Sequence, residues 1–194
     1  MSLKLHMVLL GSKAPGRNVE QHDFFFGIGT SLAGLLPAMR EFWPEAGDSL
    51  HIDGWREVTQ VEGYRVNILD KPQADPHNRR RLFFINLGGY QSGKLEEQHY
   101  TLLTVQEDRK QAVKASTGTD FFKTASIEKV KAAAAHIDEK YGIDVDEIYH
   151  IEDLLSPGCK ALYHIELLPD QSSATDEIHL GYLKLNQWNN GLKH

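Results

Sequence analysis

Two Glu-Gln-His triplets are the most chemically suggestive residues in this chain. Glu20-Gln21-His22 recurs as Glu97-Gln98-His99, 77 residues further on. On a β-strand, residues two apart share one face, with Cα atoms roughly 6.5–7 Å apart. A glutamate so placed can hold an imidazole nitrogen and orient the ring as a general base or a metal ligand. The same arrangement also satisfies a strand-edge histidine with no chemistry attached. His51-Ile52-Asp53 is a second candidate, and its tripeptide recurs as His136-Ile137-Asp138. If His51 and Asp53 approach Glu20 and His22, the nitrogen and oxygen donors suffice for a divalent cation. His22, His51, Asp53 and His99 are the candidate metal ligands, although their spacing matches no recognised ligand pattern.

The loops before the two triplets hold glycines followed by a basic residue. Gly88-Gly89-Tyr90-Gln91-Ser92-Gly93-Lys94 has the opening of a nucleotide-binding loop, but Leu95 stands where a magnesium-binding hydroxyl belongs. A strand rather than a helix is expected next, which removes the helix N-terminus that such a site needs. Gly11 to Gly16 is the matching loop and ends in Arg17. Arg17 and Lys94 are therefore candidate contacts for a small anion, and the glycines serve equally as turn formers. Cys159 has no base beside it in sequence, which argues against thiol catalysis. No cofactor is firmly implied.

The elements that must position these residues repeat as well. Sliding residues 5–29 onto 82–106 gives seven ungapped identities, where unrelated stretches would share about one or two. Each copy reads as strand, loop, strand, helix, strand, strand. Leu5 to Leu10 is a buried strand. A second runs from Glu20 to Ile28, with Glu20, His22, Phe24, Phe26 and Ile28 on one face. Leu32, Leu35, Leu36, Met39, Phe42 and Trp43 recur at helical spacing, with Pro37 delaying or kinking the helix and Pro44 ending it. A hairpin is expected from His51 to Leu69, turning at Glu62-Gly63.

The second copy offers Asp108 as the start of a helix, then an inserted helix with its stripe at Ile127, Val130, Ala134, Ile137 and Tyr141. A second hairpin is expected from Val145 to Leu168, turning at Ser156-Pro157-Gly158, and a final strand at Ile178 to Leu185. The expected fold is α+β: two pseudo-symmetric strand-loop-strand-helix-strand-strand modules packed as one body. The first spans residues 1–70 and a linker 71–81. The second, with its helical insertion, spans 82–169, and a polar tether plus extra strand fills 170–194.

With 194 residues, 41% of them hydrophobic, the chain can bury a substantial core. A net charge of −6 argues against nucleic acid and anionic membranes as partners. A single cysteine excludes an internal disulfide and favours a reducing, cytoplasmic setting. No apolar run is long enough to span a bilayer.

The loop and Glu-x-His strand, the helix ending Phe42-Trp43-Pro44, the run His51 to Val58 and Glu62-Gly63-Tyr64 together resemble the bacterial family catalogued as domain of unknown function 1543. His136 to Gly142 and Asp144-Val145-Asp146 are similar to its longer members, so the resemblance implies the tandem, two-copy form. It implies no activity.

Two functions are consistent with these residues. One is a duplicated, non-catalytic binding module for a small anionic ligand or a protein partner, contacted through Glu20, His22, Glu97, His99, Arg17 and Lys94. The other is a small metal-assisted or general-base enzyme using the paired Glu and His residues. Edge pairing through the last strand would make a homodimer.

Overall fold

Lys4–Ser12 forms strand β1, in which all but the first and sixth residues are buried. That pattern fits a central strand covered on both faces. β2, Gln21–Gly29, folds back against it antiparallel, from Lys4 opposite Gly29 to Ser12 opposite Gln21. The computed structural model describes residues 2–73, 75, 77–90, 95–118, 143–172 and 174–185. These divide into two compact units, Met1–Ala74 with Leu154–His194, and Asp75–Asp153. Mixed strands and helices make the fold α+β.

In the first unit, Ser31 Oγ accepts from Gly34 N at 3.3 Å, tying the chain after β2 to a 3-10 turn at Ala33–Leu35. Helix α1, Leu36–Phe42, follows with Pro37 in its first turn, where a missing N–H costs nothing. Pro44 does not simply end the helical region. It opens a 3-10 segment, Pro44–Ser49, kinked at Gly47. Leu32, Leu35, Leu36, Met39, Ala46 and Leu50 pack on Val8, Leu10, Phe25 and Ile52 from the sheet, with Leu185 completing this core. Met39 and Ile52 are fully buried there.

β3, His51–Val58, is not the first arm of a hairpin. It pairs with β1 on one side and with β10, His179–Lys184, on the other, giving the order β10-β3-β1-β2. The hairpin expected from 51 to 69 shrinks to β4, Gln60–Val61, and β5, Tyr64–Asp70, joined through Glu62 (φ 50°) and Gly63 (φ 77°). Two consecutive positive φ values define the tight turn that suits hairpin twist. The break between β3 and β4 is pinned by Asp176. Its carboxylate accepts from Thr59 N, Thr59 Oγ1 and Gln60 N at 2.5–3.3 Å.

In the second unit, β6 (Arg81–Tyr90), β7 (Glu97–Gln106) and β8 (Ile143–His150) make a sheet in the order β7-β6-β8. Helix α2, Arg109–Ser116, starts where Asp108 Oδ1 accepts from Gln111 N at 2.8 Å. Ala112 from α2 joins Phe83, Ile85, Leu87 and Ile148 in the core. The expected inserted helix lies outside the described residues.

The second expected hairpin does not form. After β8 the chain turns through α3, Ile151–Leu154, and α4, Pro157–Leu162, before β9, Tyr163–Pro169. Ser156 caps α4, accepting from Cys159 N at 3.3 Å, and Pro157 fits its first turn, so the residues read as a hairpin turn start a helix. β9 pairs with β5 in the first unit, in the order β4-β5-β9. Residues 154–169, assigned from sequence to the second module, therefore belong to the first unit.

The two units share a ladder register. Gly11 faces His22 as Gly88 faces His99, each pair 77 residues apart. β1 and β3 slip by one residue between Leu9 and Leu10, and β6 and β8 slip between Asn86 and Leu87. The extra residue is Asp53 in one case and Asp146 in the other. Among the described residues, no helix is long and apolar enough to cross a membrane.

Candidate functional site

The three-strand rung at Gly11 assembles the site. Gly11 faces His22 of β2 on one side and His51 of β3 on the other, so both imidazoles rise from one face. The bulge at Asp53 breaks the alternation beside them and re-aims that carboxylate. Glu20 enters from the loop end of β2. Nothing but glycine fits beneath: a Cβ on Gly11 would fall within 3.0 Å of both His51 Nε2 and Asp53 Oδ2.

Four sequence candidates thus converge, but with partners exchanged. Glu20 was expected to hold His22, two residues along its own strand. Instead Glu20 Oε1 lies 2.6 Å from His51 Nε2, and His22 Nε2 lies 3.2 Å from Asp53 Oδ2. Neighbouring strands are closer than alternate residues on one strand, so cross-strand pairing prevails. Asp53 Oδ1 stands 3.4 Å from the same His51 nitrogen. One donor atom each from Glu20, His51 and Asp53 falls within a 4.8 Å cluster.

His51 is the fixed point. It is 2% exposed, and Tyr182 of β10 packs against its ring at 4.3 Å between centroids, tilted by 37°. Its Nδ1 lies 2.8 Å from the Ser49 carbonyl. A carbonyl only accepts, so Nδ1 carries a proton, and Nε2 is the ring nitrogen turned toward two carboxylates. Nε2 makes no hydrogen bond despite the nearness of Glu20, and Asp53 Oδ2 makes none either. A buried lone pair among carboxylate oxygens is an unfavourable arrangement unless a proton or a cation lies between them. Ser49 is itself held, its Oγ donating to Ala46 O at 2.7 Å and standing 2.6 Å from Ser12 Oγ. The water-facing side is formed by Glu20 and His22, with 40% and 47% of their side chains exposed.

The second unit holds Glu97 and His99, with His99 Nε2 3.9 Å from Glu97 Oε2 and its Nδ1 3.3 Å from Asn86 Nδ2. Here the pairing stays within one strand. The residue opposite Gly88, at the place His51 takes opposite Gly11, is Asp144, so no imidazole stands across from Glu97 at that rung. Arg17 lies exposed on the β1–β2 loop. Lys94 and His136-Ile137-Asp138 lie outside the described residues. Gly88 to Tyr90 are strand residues and the next described element is the strand β7, so among the described residues no helix N-terminus follows them.

Sequence reasoning read Gly11 only as the start of a loop, where the structure keeps it inside β1, and overlooked Ser49 and Tyr182. A signal existed for the first, because a glycine inside a strand often marks close approach of another group.

The molecule is an α+β protein with a histidine–carboxylate cluster at the loop end of the β1–β2 hairpin. The sequence profile of DUF1543, a domain of unknown function, matches residues 17–68, the stretch that carries Glu20, His22, His51 and Asp53, and supports that family for it. The crystal structure of protein Il1583 from Idiomarina loihiensis is similar in fold, with a TM-score of 0.62 and 23% identity, over 94% of this chain and 97% of that one. No curated protein matches the chain.

Proposed function

We propose that this chain is a metal-assisted enzyme whose divalent cation is held by Glu20, His51 and Asp53. The observation that carries this is the His51 ring, buried and oriented by the Ser49 carbonyl, with an Nε2 that makes no hydrogen bond and faces two carboxylates. A backbone carbonyl behind a metal-binding histidine fixes its tautomer and raises its basicity. One imidazole with two carboxylates suits zinc, manganese or ferrous iron.

Three protein ligands leave room for water, and Glu20 and His22 open that side to solvent. His22, 3.2 Å from Asp53, would take a proton from such a water and return it to a leaving group. The acidic cluster favours this over direct capture of a small anion by Glu20 and His22, because two carboxylates repel anions until a cation neutralises them. A duplicated binding module remains the second reading, favoured by the shared register that repeats Glu97 and His99 on the matching rung.

Metal analysis and calorimetry on untagged protein test the proposal. About one zinc or manganese ion per chain is expected to bind. His51→Ala should abolish uptake, whereas His22→Ala should retain the ion. Wild-type protein that takes up neither metal would refute the proposal.

A further inference from the structure

Building on that metal site, we propose that its substrate carries an oxyanion, a phosphoryl or carboxylate group, gripped between the cation and the side chains of Lys13 and Arg17. The β1–β2 ladder ends on the rung Ser12–Gln21, one step beyond the Gly11–His22 rung that supports the cluster. The loop between them therefore begins and ends beside the site. It is tightened by a turn in which Arg17 N donates to Ala14 O at 3.2 Å, with Gly16 at φ 79°.

Lys13 and Arg17 are exposed on this loop, and among the described residues neither is ion-paired. Lys13 lies two residues past Gly11, so their Cα atoms are at most about 7 Å apart. A four-carbon stem spans that distance. The root of the loop is also tied to the cluster, since Ser12 Oγ meets the hydroxyl of Ser49, whose carbonyl orients His51.

Charge makes the arrangement conditional. Without metal, Glu20 and Asp53 offset Lys13 and Arg17. A divalent cation would neutralise the two carboxylates and leave the mouth with about two uncompensated positive charges. An arginine fork and an ammonium are suited to the outer oxygens of a group whose inner oxygen meets the metal. Oxyanion and metal should therefore bind with positive, reciprocal coupling.

The test is calorimetric titration of inorganic phosphate, and separately acetate, into zinc-loaded and chelator-stripped protein. Zinc-loaded wild type should bind at least one of the two. The stripped protein should bind neither, and Lys13→Ala/Arg17→Ala should lose at least tenfold in affinity. That variant should keep its zinc affinity within about threefold, because exposed charges contribute little to a neighbouring site. A phosphate response assigns a phosphoryl substrate and an acetate response a carboxylate one. If zinc binds but neither anion does, or the double variant binds them like wild type, the oxyanion proposal is overturned and the metal site stands. If neither zinc nor manganese binds, both fall.

Discussion

Replacing Gly11 with alanine inserts one methyl group directly beneath the cluster. The new Cβ would lie under 3.0 Å from His51 Nε2 and Asp53 Oδ2, whereas ordinary contact begins near 3.4 Å. Each atom must then retreat by at least about 0.4 Å, twice the roughly 0.2 Å tolerance of a metal–ligand bond. His51 has little room to comply, being 2% exposed and fastened to Ser49 O at 2.8 Å. Asp53, on a bulge and partly exposed, yields more readily and leaves the donor set. A displaced ligand or a broken supporting contact costs at least tens-fold in metal affinity. With both donors disturbed, we expect about a hundredfold loss, or about 2.8 kcal/mol. Competition against a chromogenic zinc chelator measures this, with circular dichroism and thermal melting confirming that the variant is folded. Alanine has a slightly better strand propensity than glycine, so stability should change little apart from the local clash. Zinc affinity within threefold of wild type in the folded variant would refute the reasoning.

The burial of His6 sets a pH dependence. Its ring is wholly buried, and burial lowers its pKa below the usual 6.5 against the opposing pull of Glu57 and the Lys4 carbonyl. The neutral form is thus favoured by folding. Its contribution is complete above about 6.5 and is lost as pH falls through the lower folded value. The urea midpoint should fall from about pH 7.5 to 5.5 more steeply in wild type than in His6→Leu, and equal slopes would disprove it. Asp176→Ala should destabilise the first unit by about 2–3 kcal/mol, since it removes the acceptor of two backbone N–H groups and a hydroxyl at the β3–β4 break. Equilibrium unfolding reads this directly, and a loss under 0.5 kcal/mol would deny Asp176 its pinning role.

Much of the local structure was legible from the sequence because its causes are local. Asp108 as a helix start, Glu62-Gly63 as a turn and Pro37 as a delayed helix start all act within a few residues. Strand partners were not legible, because alternation shows which face a residue takes but not which strand lies beside it. His51 to Val58 looked like one arm of a hairpin and instead lies between β1 and β10. β9 looked like the mate of β8 and pairs with β5. The candidate site followed the same division. Glu20, His22, His51 and Asp53 were recognisable by type, with their approach stated as a condition. The exchange of partners depended on a bulge at Asp53 that no alternation pattern reveals.

The return of β9 and β10 to the first unit sets the order in which the polypeptide can mature. Residues emerge from the ribosome N-terminal first, yet the unit holding the N-terminus waits for Leu154–His194, while Asp75–Asp153 is already uninterrupted. The younger half thus has all its parts before the older one does. A nascent chain halted at residue 153 would leave β3 without its β10 neighbour and β5 without β9, two bare edges in the unit that carries His51.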